Sequence, residues 1–70
     1  MFGIVCIIEK DSIKKAVPIL KKDGINQKML TFDTIGRTKE EVKVLIICQQ
    51  STKVWIINFE TGETIEFKND

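Results

Sequence analysis

A chain of 70 residues with a net charge of +1 makes one domain, residues 1–70, with a thin core. It has no global field to draw it to nucleic acid or membrane. It contains no His and only two Cys, Cys6 and Cys48, which excludes a self-contained four-ligand zinc site and removes the commonest general base.

The first element is FGIVCII, residues 2–8. Its unbroken apolar, β-branched run predicts a strand buried on both faces and therefore central. Cys6 sits inside it without a charged neighbour, as Cys48 does in its own run. Both read as buried thiols used as small hydrophobes, as in a reducing compartment, with one disulfide between them as the alternative. Glu9, Lys10 and Asp11 follow the run where a signal peptide would carry small residues. No apolar run approaches the ~20 residues of a membrane span, so the expected location is cytoplasmic.

KDSIKKAVPILKKDGIN comes next. Asp11 and Ser12 suit a helix N-cap, and Ile13, Ala16, Val17 and Leu20 recur at helical spacing. Gly24 is placed to end such a helix. A helix is therefore expected here, kinked or opened at Pro18, which costs about 3 kcal/mol in a helix interior. Lys14, Lys15, Lys21 and Lys22 would fall on its outer face. Residues 10–28 hold six lysines against Asp11 and Asp23. Those four lysines are candidate phosphate contacts, although a single Arg and few aromatics make a poor base-stacking surface.

QKMLTFDTI predicts a strand, GRTKEE a polar loop broken by Gly36, and VKVLIICQQ a further strand. QQST turns the chain into the strand KVWIINF. ETGE forms a short hairpin turn around Gly62. TIEFK closes the chain as an edge strand, with Ile65 and Phe67 inward and Glu66 and Lys68 outward. The loop holds Arg37, the only arginine, with Lys39 beside it. Arg37 suits bidentate contact with a carboxylate or phosphate. Glu40 and Glu41 could in principle hold a hard cation, but adjacent acids before a strand read as solvated charges.

The expected fold is α+β. One helix packs on a four- to five-stranded, mainly antiparallel sheet in the order β-α-β-β-β-β, strongly curled or barrel-like in one version. The opening strand, the helix ending in KKDGI, the next strand and the Gly36–Arg37 loop resemble the first half of the nitrogen-regulatory signalling trimers, over residues 2–38. That resemblance implies a strand–helix–strand start and a loop that meets partners. The pattern departs from that family beyond residue 38, where no second helix is expected.

One helix covers one sheet face, yet both faces carry apolar residues. Val54 and Ile56 lie on one, and Trp55, Ile57 and Phe59 on the other. The second face must be met by a curled sheet, a twin chain or a target protein. With no nucleotide-binding glycine motif and no activated nucleophile, the function expected is non-enzymatic and without a cofactor. It is that of a small regulator, inhibitor or adaptor acting by protein–protein contact, of a kind that suits a phage or mobile-element factor. The contact residues would be Trp55, Ile57 and Phe59, rimmed by Arg37 and Lys39. The alternatives are nucleic-acid or nucleotide binding through the lysines and Arg37, and a structural subunit of a homo-oligomer.

Overall fold

The computed structural model describes residues 1–67; Lys68, expected to face outward, lies outside them. The element order is β1 (Phe2–Lys10), β2 (Ile13–Pro18), β3 (Leu20–Asp23), β4 (Asn26–Met29), β5 (Thr31–Phe32), α1 (Ile35–Val44), α2 (Ile46–Gln49), β6 (Lys53–Asn58) and β7 (Thr64–Phe67). The α+β class holds, with one main helix and a short one on a mainly antiparallel sheet of five strands. The sheet runs β2-β1-β6-β7, with β5 also pairing β1, and it does not close into a barrel.

β1 is central, as its apolar run requires, with β6 on one side and β2 and β5 on the other. β6 and β7 form the expected hairpin, with β7 at the edge. Phe67 packs toward the core, while Ile65 stays 39% exposed.

The segment from Asp11 to Gly24 is not a helix. Asp11 and Ser12 take φ of 53° and 67° and form a two-residue turn that sets Lys10 opposite Ile13. Positive φ at both central positions marks a type I′ hairpin turn, which Asp tolerates. The residues that cap helices are also the residues that make tight turns, so the same pair fits both readings. Pro18 ends β2, an edge strand, where a missing N–H is tolerated. The likeness to the signalling trimers fails with this segment, because its helix is here a hairpin.

Beyond Pro18 the chain leaves the sheet. Ile19 donates its N–H to the Ile4 carbonyl (2.9 Å) and accepts from Leu30 (3.0 Å). Between these anchors β3 and β4 form a separate two-stranded arm. Gly24, at φ 65°, occupies the first position of its two-residue turn, where a side chain would be strained.

The main helix lies instead where a loop and a strand were expected. Thr34 caps it, its Oγ1 accepting from the Arg37 N–H at 3.2 Å. Ile35, Thr38, Val42 and Leu45 repeat at helical spacing and point into the core. Leu45 turns extended (φ −76°, ψ 124°) and separates α1 from the single turn of α2. Val44, Ile46 and Ile47 looked like strand residues because they are β-branched and lie in the unbroken apolar run Val44–Cys48. Val44 and Ile46 are 67% and 69% exposed, so the run contains residues the core never takes up.

The core lies between this helical layer and one sheet face. Its fully buried members are Ile4 and Cys6 of β1, Val54 and Ile56 of β6, Thr38 and Val42 of α1, and Cys48 of α2. Thr38 is the one buried polar side chain among the described residues. Its hydroxyl donates to the Thr34 carbonyl at 2.8 Å, which satisfies it inside the helix.

Candidate functional site

Strand alternation sorts the sheet into two faces. The rungs Val17–Cys6–Val54–Phe67 and Ile4–Ile56–Ile65 face α1. The rungs Pro18–Val5–Trp55–Glu66 and Ala16–Ile7–Lys53 face the other way. Both helices serve the first face, and no helix covers the second. The side chains of Val5, Ile7, Trp55 and Ile57 shield one another only partly.

At one end of this open face Phe59 and Met29 close over Gly3. A Cβ on Gly3 would stand 2.7 Å from Cε2 and 2.8 Å from Cζ of the Phe59 ring, and 3.0 Å from the Met29 methyl. Gly3 therefore lets an aromatic ring lie on the backbone of the central strand. Phe59 remains 47% exposed. At the other end lies an open groove of about 410 Å³, floored by Ile7, Ala16 and Trp55 and flanked by Lys14, Lys53 and Glu9. Thr52 fixes its wall, donating both its N–H (2.9 Å) and its hydroxyl (3.0 Å) to the Ile7 carbonyl.

The structure thus brings Trp55, Ile57 and Phe59 to one face, with Val5, Ile7, Pro18 and Ala16 beside them. The sequence reading missed Pro18 and Ala16 because it placed residues 13–20 on a helix; Val5 and Ile7 it assigned to a strand buried on both faces. Arg37 and Lys39 do not join this face. Both are exposed on α1, which lies across the sheet from Trp55. They form no rim around it.

The four candidate phosphate lysines do not form one surface. No helix carries them. Lys14 stands opposite Glu9 on the open face, and Lys15 stands opposite Ile8 on the helix side. Lys21 and Lys22 belong to the arm, paired with Lys28 and Gln27. Adjacent strand residues point to opposite faces, so each lysine pair is divided. Lys28 Nζ meets Asp23 Oδ2 at 3.5 Å.

A second depression, of about 370 Å³, lies on the helix-side face at the tip of the β1–β2 hairpin, along Ile8, Ile13 and Val17. Among the described residues no cluster of three His, Cys, Asp or Glu side chains could hold a metal ion, and no helix is long and apolar enough to cross a membrane.

The remaining reactive groups are the two thiols. Cys6 and Cys48 are free and buried, with Sγ atoms hydrogen-bonded at 3.3 Å. Burial, and then the hydrogen bond with Cys6, push the Cys48 thiol up to about 12. A thiol held that high is a poor nucleophile at neutral pH. Comparison of the chain with protein-family models, with curated proteins and with solved structures returned no match.

Proposed function

We propose that this chain is a non-enzymatic binding protein, a small regulator or inhibitor that works in the cytoplasm by covering its open sheet face with a partner protein. One observation carries the reading: Trp55 sits in the middle of an apolar face that no helix covers, with Val5 and Ile57 around it. Trp is enriched among the residues that dominate interface energetics. A small domain with a thin core also gains from a partner that buries such a face.

Contact through the face is favoured over contact through the edges. β2 offers an open row of backbone groups but carries Lys14, Lys15 and Pro18. β7 is four residues long and carries Glu66. Lysine, proline and short length are the usual means by which an edge strand is kept from pairing. In this reading Lys14 and Lys15 guard an edge. Phosphate binding has less support, because the four lysines lie on two hairpins and point to different sides.

The occupant of the face is another protein or a second copy of the chain. Light scattering on the purified protein separates these, since a second copy doubles the mass and the mass falls on dilution. For another protein, capture by the native chain is compared with capture by a folded Trp55→Phe variant and an Ile57→Lys variant. The reading expects any partner to be lost with Ile57→Lys and weakened with Trp55→Phe. A folded Ile57→Lys chain whose mass matches that of the native chain at every dilution, and which captures the same proteins equally well, would end it.

A further inference from the structure

We propose that Cys6 and Cys48 are an internal oxidation site, closing into a disulfide by exchange with a small disulfide such as glutathione disulfide and so tying α2 to the central strand β1. The proposal does not depend on the open face or its partner. It rests on the placement of the two thiols, which are 42 residues apart in sequence and 3.3 Å apart in the core. Their side chains are 0% and 1% exposed, and each has the other as its thiol partner. A disulfide needs its sulfurs at about 2.05 Å, so closing the bond asks for a shift of little more than an ångström shared between two elements.

The two elements differ in how firmly they are held. Cys6 lies on β1, paired by strands on both sides. Cys48 lies on α2, a single turn whose N-cap, Leu45, makes no side-chain cap hydrogen bond. Ile46, Gln49 and Gln50 around it are exposed. An element with few buried contacts opens locally before the rest of a fold does. Opening of α2 exposes Cys48 while β1 stays in the sheet.

The exchange then runs in two steps. Cys48, deprotonated in the open form, attacks one sulfur of glutathione disulfide. A Cys48–glutathione bond forms, the oxidant's own S–S bond breaks, and a glutathione thiolate leaves and takes up a proton. When α2 returns, Cys6 gives up its proton as its sulfur attacks Cys48 Sγ, and the second glutathione leaves as a thiolate and takes up that proton. Two protein thiols are oxidised and one glutathione disulfide is reduced to two glutathione thiols. The closed form hides both sulfurs and keeps the Cys48 proton, so the rate follows the opening of α2 and rises with pH.

The test uses the native chain in glutathione buffers stepped from reducing to oxidising. Samples are acid-quenched, unfolded in guanidinium, alkylated with N-ethylmaleimide near neutral pH, weighed intact and digested. The expected product is a monomer lighter by two hydrogens, without retained glutathione or maleimide, yielding a crosslinked Cys6–Cys48 peptide and reverting with dithiothreitol. Amide exchange over residues 46–52 should slow in this product. Cys6→Ala should accumulate glutathione on Cys48 instead. A native chain that still takes two maleimides in the most oxidising buffer overturns the proposal. So does one that carries glutathione, or links to a second chain, without the internal crosslink.

Discussion

Ala16 offers the cleanest perturbation of the open face. It is exposed on the edge strand β2, sits opposite Ile7, and forms part of the groove floor beside Trp55. Truncating Trp55 itself is a poorer test. A tryptophan contributes 150–250 Å² of contact, and at about 25 cal/mol per Å² its loss approaches the whole stability of a domain this small. Ala16→Glu and Ala16→Lys leave the core alone. Each should change folding stability by no more than about 0.5 kcal/mol, as exposed substitutions usually do. Against a bound partner each buries an unpaired charge, at a cost of about 3–5 kcal/mol. That corresponds to a Kd raised by between about a hundredfold and a few thousandfold. Urea melts of the two variants measure the first quantity. Capture efficiency, or the dilution dependence of mass if the occupant is a second copy, measures the second. A partner charge that suits one sign opposes the other. If Ala16→Glu and Ala16→Lys both bind as the native chain does, the face is not the interface.

Four further outcomes are expected. Gly3→Ala pushes the Phe59 ring and the Met29 methyl off the central strand; both are flexible ends, so the net loss should be about 1 kcal/mol, and a urea midpoint equal to or above the native one would contradict their seat over Gly3. Thr34→Ala removes the cap on the Arg37 N–H and should cost about 1 kcal/mol, largely restored by Thr34→Ser, as read by the midpoint of helix loss in circular dichroism. The Cys6–Cys48 crosslink closes a loop of 42 residues and should stabilise the oxidised chain by about 4 kcal/mol on the chain-entropy account, so a crosslinked chain with an unchanged urea midpoint would contradict closure by so small a shift of the two elements. Finally, Cys48 holds its proton more tightly folded than unfolded, its value rising from 9.0 to about 12; its contribution is complete below pH 9.0 and is lost as pH climbs toward about 12, so the native chain should lose stability over that window more steeply than Cys48→Ala.

The parts legible in the sequence were those in which one pattern had one physical solution. A seven-residue apolar run at Phe2–Ile8 has few homes in a small domain except a central strand. The alternation of TIEF behind a Gly62 turn allows little but a terminal hairpin. The position of the helix was not legible, because its signals have two solutions. Asp11 and Ser12 serve a helix cap or a type I′ turn, Gly24 a helix end or a hairpin, and Val42–Ile47 a strand or a helix with a loose end. The objection raised by Pro18 favoured the hairpin. The signal that would have found α1 is Thr34 followed by Ile35, Thr38, Val42 and Leu45, whose helical spacing is masked by a β-branched run beginning inside it.

The candidate site divided in the same way. That one sheet face would be left over followed from composition and strand count, because a chain of 70 residues with apolar residues on both sides of its strands cannot cover both with one short helix. Which face was left over could be decided only by tertiary packing. β1 and β6 present apolar residues to either side, and the face that α1 takes depends on the shape of its own stripe. Ile35, Thr38, Val42 and Leu45 pack onto Ile4, Cys6, Val54 and Ile56. Trp55 is left facing outward as a result. The same packing carries Arg37 and Lys39 to the far side of the molecule and sets two cysteines, distant in the chain, sulfur to sulfur in the core.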